Sequence, residues 1–266
     1  MSDEQRPGEQ RPGEQPTEHP TEHPTEHPTE HPPHWFEPVA EHLGQAYLRY
    51  SFTKGTNQEI DFLVGALGLQ PGMSVLDVGC GPGRHSHELA RRGIQAHGID
   101  ISSRFIEIAQ TDAPPGAIFQ TLDARGLGFV GAYDAVICLC QGAFGLMTAN
   151  GDDELILKKM STALKPGGRL ALSAFSAYFV VKYFDGNGGA TFDADTGVNH
   201  EHTEVRNEAG IAKEVDLWTG CYTPRELRVL CRNAALTVDS ISSVEPGAYG
   251  METPTVETPE FLVLAH

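Results

Sequence analysis

The stretch VLDVGCGPGRH, residues 75–85, runs from an apolar strand pattern into three alternating glycines, and few folds accept that sequence. A strand that stops at Gly79 hands the chain to a turn at Cys80, Gly81, Pro82 and Gly83. Without side chains at the glycines, the main chain of such a turn can come directly against a ligand. RHSHELARRG then carries helical spacing, which makes the unit strand, turn, helix. Dinucleotide folds use G-x-G-x-x-G, but here the position wanting the third glycine holds Arg84. Asp77, two residues before the first glycine, favours a cationic or amino-bearing ligand and disfavours pyrophosphate by charge.

Strands and helices alternate after Gly72, which predicts a parallel sheet covered by helices on both faces. SVLDVG, IQAHGID, AIFQTLDA, YDAVICLC and the end of LKPGGRLALSAF read as five strands. Cys138 and Cys140 alternate along the fourth and are expected on one face as small apolar residues. LTVDSISSVEPG and EFLVLAH are joined without a helical crossover and should pair antiparallel. Ahead of the sheet, WFEPVAEHLGQAYLRY and TNQEIDFLVGALGL carry helical spacing. Thr56 with Glu59 reads as a capping box for the second of these helices, and Gly68 as its end. HEHTEVRNEAGIAKEVDLW alternates about an NEAG turn as a β-hairpin, and Thr223 with Glu226 caps a further helix. The expected organisation is a repeat tail over 1–34, a helical cap over 35–70 and a ligand-binding core over 71–176. A β-hairpin insertion covering the substrate follows over 177–220, with closing elements over 221–266.

Acids end the second and third strands as well. Asp100 stands where an acceptor for ribose hydroxyls is expected, and Asp123 before Ala124 where one could take an exocyclic adenine amine. With Asp77 they form a line of carboxylates along the carboxyl edge of the sheet, which describes a nucleoside site.

The ordered series VLDVGCGPG, GID, DA, YDAVICLCQGAFG and LKPGGRL resembles the motifs of class I S-adenosylmethionine-dependent methyltransferases, over about residues 56–175. The resemblance implies an α/β, Rossmann-like three-layer sandwich, its mostly parallel seven-stranded sheet ending in an antiparallel strand. It further implies S-adenosyl-L-methionine as cofactor, with Asp77, Gly79, Cys80, Gly81 and Gly83 around the methionine part. Asp100 would hold the ribose and Ile101 pack on adenine. Asp123 and Ala124 would bind the adenine edge, and Leu139, Cys140 and Gln141 lie near the sulfonium. Where relatives that methylate amides or nucleobase amines carry an Asn/Asp-Pro-Pro-aromatic signature, this chain has Cys140-Gln141-Gly142-Ala143-Phe144.

The 266 residues carry a formal charge of −17, of which the first 34 contribute −6 through eight acids and two arginines. The rest of the chain therefore repels polyphosphate, and a nucleic-acid partner is not expected. The expected acceptor is a small molecule. EQRPGEQRPGEQ and four PTEH repeats place proline every fourth residue and little apolar surface to bury, so this tail is expected to be disordered. Its histidines, and His200 and His202 with Glu204, have metal-ligand chemistry, yet they read as a solubilising tail and a solvated hairpin face. No metal is expected. Five cysteines in odd number argue against a disulfide framework. Apolar runs such as AVIC (135–138) and FLVLA (261–265) are strand-length, and MSDEQRPGEQ lacks the apolar core of a secretory signal, so a cytoplasmic protein away from membranes is expected. Oligomeric state leaves no signal.

Methyl transfer needs alignment and dryness more than acid–base groups, since the cofactor carries the activation. His85, Tyr50 and His200 are the candidates where a base is needed. Tyr47, Tyr50 and Phe52 either box a cation or form the core of the helical cap. A nicotinamide oxidoreductase and a non-catalytic S-adenosylmethionine-binding protein remain as alternatives.

Overall fold

The computed structural model describes residues 34–148, 151–184 and 189–266. The expected tail lies outside them except for His34, which is buried beside Trp35 and belongs to the folded part.

Strands β1 (Ser74–Val78), β2 (Gln95–Asp100), β3 (Ala117–Thr121), β4 (Tyr133–Cys138) and β5 (Leu164–Ser176) pair in parallel in the order 3-2-1-4-5. Helices α3 (Arg84–Arg91), α4 (Ser103–Thr111) and α5 (Asp153–Ala163) supply crossovers between them. β10 (Glu260–Ala265) inserts antiparallel between β5 and β9 (Val238–Val244), which completes a seven-stranded core sheet as expected. No helix intervenes between β9 and β10, so only an antiparallel return is open to the chain. Period-two alternation divides the core between the two faces. Leu76, Val78, Val136 and Leu172 pack with Leu157 and Met160 of α5 and with Leu227 and Cys231 of α7 (Pro224–Asn233). Val75, Ala135, Ile137 and Leu262 pack with Ile60 and Leu63 of α2 (Thr56–Leu67) and Leu89 of α3. Among the described residues no helix is long and apolar enough to cross a membrane.

Several local expectations are corrected. WFEPVAEHLGQAYLRY forms only the short helix α1 (Glu37–Leu43), because Gly44 takes φ 49° and the chain continues in 3-10 turns to Gly55. Thr56 and Glu59 make no capping box: Gly55 is the N-cap of α2, and the Glu59 carboxylate points inward to Arg84 and His85. Cys138 and Cys140 do not share a face, since β4 ends at Cys138 and Cys140 turns to φ 52°. Cys138 joins the α5 side of the core and Cys140 the α2 side.

The insertion is larger than a hairpin. It opens with α6 (Ala177–Tyr183), and a strand β6 (Ala190–Asp193) adds to the expected pair β7 (Val198–Arg206) and β8 (Ala212–Tyr222). β8 joins β5 through Phe175↔Cys221 and Ser176↔Tyr222, past the last β4 pair at Leu172, so the insertion continues the sheet from the projecting end of β5.

Gly68 ends α2 in the left-handed conformation, and Thr223 caps α7 with the full reciprocal pair of bonds to Glu226. Thr223→Ala should lower the unfolding free energy by ~1 kcal/mol in urea titrations.

Candidate active site

The turn after β1 is fastened to the end of β2. The Gly79 and Cys80 amides donate to Ile99 O at 2.8 and 2.9 Å, and the Gly81 amide donates to Asp100 Oδ2 at 2.8 Å. Asp100 Oδ1 accepts from the Ser102 amide at 2.8 Å. Each carboxylate oxygen thus keeps one lone pair for a ligand. Burial of Asp100 pushes its pKa up to about 6, against the pull of the two amides.

Gly79 at φ 71° faces the loop after β4, and a Cβ there would stand 2.0 Å from the Gly142 carbonyl carbon. Only bare main chain allows the two loops to meet. Gly83 is equally tight, with a Cβ meeting Phe119 and Ala109 at 2.9 Å.

A narrow cavity of about 40 Å³ opens at this carboxyl edge. Of the expected site residues it brings together Gly79, Asp100, Ile101, Asp123 and Ala124. Gly142, Ala143, Leu146 and Ile156 supply one wall, and His34 and Phe36 another. The remaining expected residues do not line it. Asp77 is buried beneath the turn, where Ser86 Oγ donates to it at 2.7 Å and burial raises its pKa. Cys80, Gly81, Gly83 and Leu139 form the turn and the packed end of β4 around it. Cys140 donates its amide to Ser173 Oγ at 2.7 Å, and its Sγ lies 2.8 Å from Arg84 Nη2. Gln141, also at positive φ (53°), is buried, and its Nε2 has no hydrogen-bond partner.

The base candidates go to separate places. His85 is buried against Glu59 at 2.6 Å, and burial together with the Arg84 charge lowers its pKa, so it stays neutral and donates Nε2–H to that carboxylate. Tyr50 stacks on Phe52 within an aromatic group that includes Tyr47 and Phe105, so these rings pack on one another. His200 stacks on Trp218 and faces a different cleft of about 870 Å³ with Trp35 and Met147. The set His200, His202 and Glu204 is not assembled as a metal site: both histidines bond to Asp216, and Glu204 pairs with Arg206. Among the described residues no three or more His, Cys, Asp and Glu side chains are arranged to hold a metal ion.

Two features escaped sequence reasoning. Arg125, almost fully buried, grips Asp123 through Nε and Nη2 and reaches Asp152 through Nη1. Arg84, Glu59 and His85 form a buried ionic group behind the turn. Its one visible signal was an arginine at the place where a dinucleotide fold wants glycine.

The seven-stranded sheet, its antiparallel insert and the glycine turn meeting the fourth strand's loop define a Rossmann-like methyltransferase fold. Residues 75–168 match the family model described as a methyltransferase domain. Residues 75–168 thus carry a methyltransferase domain, and the fold around it is that of the class I S-adenosylmethionine-dependent methyltransferases. It is 28% identical over 151 residues to a putative methyltransferase, YqeM, of Bacillus subtilis, covering 55% of this chain and 61% of that one. It is 30% identical over 122 residues to a ubiquinone biosynthesis O-methyltransferase of Xanthomonas campestris, covering 44% and 48%. The chain thus spans roughly half to three-fifths of the length of these relatives. Its fold is also that of CalS10, an amino pentose methyltransferase from Micromonospora echinaspora, with TM-score 0.57, 21% identity and coverage of 89% and 99%.

The residues present suit the family's cofactor, S-adenosylmethionine. Asp100 offers two unshared acceptor positions, and the Gly79–Gly142 contact leaves main chain rather than side chain at the ligand surface. The room is smaller than the ~300–1,000 Å³ of small-molecule sites.

Proposed function

We propose that the protein methylates a small-molecule acceptor with S-adenosylmethionine. The observation that carries this reading is Asp100, a buried carboxylate with a lone pair to spare on each oxygen, at the rim of a cavity floored by bare main chain. Bound, the cofactor supplies an activated methyl group on a sulfonium whose departure leaves a neutral thioether. The chain's own work is alignment and exclusion of water. Asp100 accepts the ribose hydroxyls and Ile101 covers one face of the base. Asp123, fixed by Arg125, and Ala124 meet its edge. Asp77 with the turn at Cys80, Gly81 and Gly83 borders the amino-acid end, and Leu139, Cys140 and Gln141 lie beside the sulfonium.

A small acceptor is favoured by the strongly acidic chain, which repels nucleic acid, and by its likeness to a ubiquinone biosynthesis O-methyltransferase and to an amino pentose methyltransferase. Calorimetry with S-adenosylmethionine, S-adenosylhomocysteine and NAD tests the cofactor. Binding of NAD alone would replace the reading with an oxidoreductase. Mass spectrometry of a metabolite pool incubated with the protein and cofactor should show a mass gain of one methylene, and its absence alongside tight binding would indicate a binder without turnover.

A pH dependence follows from Asp100. Its raised pKa means the folded, ligand-free protein holds that proton up to about pH 6, while ribose hydroxyls favour the ionised form. Cofactor affinity should therefore be level above about pH 7 and fall as pH drops through 6, approaching tenfold per pH unit. Calorimetry from pH 5 to 8 would show it.

A further inference from the structure

At the carboxyl edge beyond the glycine turn, three buried polar atoms have no hydrogen-bond partner: Gln141 Nε2, Tyr249 Oη and Glu260 Oε2. Glu260 opens β10, opposite Phe175 of β5, so it lies on the same edge as Gln141 at the end of β4. Its alternation with Leu262 places it on the α2 side of the sheet, where Cys140 and Tyr249 also pack. The Ser173 hydroxyl and the Gln141 amide lie beside its carboxyl.

The other ionic groups here are already matched. Glu59 accepts from Arg84, from His85 and from the Gly247 amide. Arg84 divides its donors among Glu59, Thr56 and Cys140. Glu260 alone in this group has neither an ion-pair partner nor a bond to Oε2, and it is only 4% exposed. The donors beside that carboxyl, the Ser173 hydroxyl and the Gln141 amide, are neutral and leave its charge uncompensated by an ion pair.

We propose that Glu260 receives the N–H of an amine acceptor and takes its proton as the methyl group is transferred, a role that rests on the methyltransferase reading above. The acceptor ammonium gives a proton to Glu260 Oε2. The freed nitrogen pair forms the bond to the methyl carbon, the carbon–sulfur pair stays on sulfur, and the product leaves as the methylated ammonium. An amine is preferred to a neutral hydroxyl because this edge offers an unneutralised carboxylate and no uncommitted cation among the described residues. Burial pushes the Glu260 pKa up to about 7, with Glu59 adding to the rise and Ser173, Gln141 and Arg84 opposing it, a value suited to taking a proton near neutrality.

Sinefungin, which carries an ammonium-bearing carbon in place of the sulfonium methyl, tests this without the acceptor. Wild type should bind sinefungin at least tenfold more tightly than S-adenosylhomocysteine at pH 8.5, and the preference should shrink as pH falls to 6.5. In Glu260→Gln the preference should vanish while S-adenosylhomocysteine affinity stays within about threefold. Equal binding of the two ligands by wild type, or an undiminished preference in Glu260→Gln, overturns the proposal. Where Glu260→Gln fails to fold, the wild-type ratio and its pH dependence decide alone. Failure of both ligands to bind would instead refute the methyltransferase reading.

Discussion

Asp100→Ala is expected to weaken S-adenosylmethionine binding by about 100-fold or more. Hydrogen bonds to a charged group contribute ~1.5–3 kcal/mol each, and the ribose offers two hydroxyls to one carboxylate. The variant also deprives the Gly81 and Ser102 amides of their acceptor, so its fold loses stability by ~1–3 kcal/mol. Calorimetry on protein shown folded by circular dichroism separates the two effects. Asp100→Asn should fall between wild type and alanine, because it keeps one acceptor oxygen and loses the charge. Unchanged affinity in folded Asp100→Ala removes the ribose role from this residue.

Glu59→Ala should cost the fold ~3–5 kcal/mol at pH 7, the usual penalty for breaking a buried ion pair from one side. Glu59 is fully buried, and its loss strands the Arg84 guanidinium, the His85 N–H and the Gly247 amide together. Burial alone would raise the Glu59 pKa, but the His85 bond and the Arg84 charge outweigh it and bring it down to about 2. A carboxylate with a depressed native pKa stabilises the fold above its unfolded value of ~4.3 and loses that contribution as pH falls toward 2. The stability gap between wild type and Glu59→Ala in urea should accordingly be full at pH 7 and narrow below pH 4. A gap independent of pH would mean that packing, not charge, holds this group.

Those two residues also show what a sequence can disclose. The place of Asp100 at the end of β2 beside the turn was legible because a strand end, a glycine turn and an acid at fixed spacing are short-range features whose geometry hardly varies. Glu59 was misread because Thr-x-x-Glu matches a local capping rule, while its actual partners lie 25 and 26 residues further on. Long-range electrostatics overrode a local preference. The parallel sheet and the antiparallel β10 followed from alternation and from a missing crossover helix, whereas the strand order was not read from the sequence. The left-handed turn at Cys140 and Gln141 did not, because no glycine marks it and tertiary contacts impose it. Arg125 was overlooked for a different reason: the acid it grips is two residues away, and nothing in DAR separates a surface pair from a buried one.

The seam between β5 and β8 consists of two residue pairs, whereas β8 pairs with β7 along nine. The three outer strands are held elsewhere as well: Val205 and Val215 pack on Val39 and Leu43 of α1, and the Gly220 amide donates to Gly145 O at 2.7 Å. The helical cap and the loop after β4 thus share with that short seam the work of fixing the insertion over the carboxyl edge.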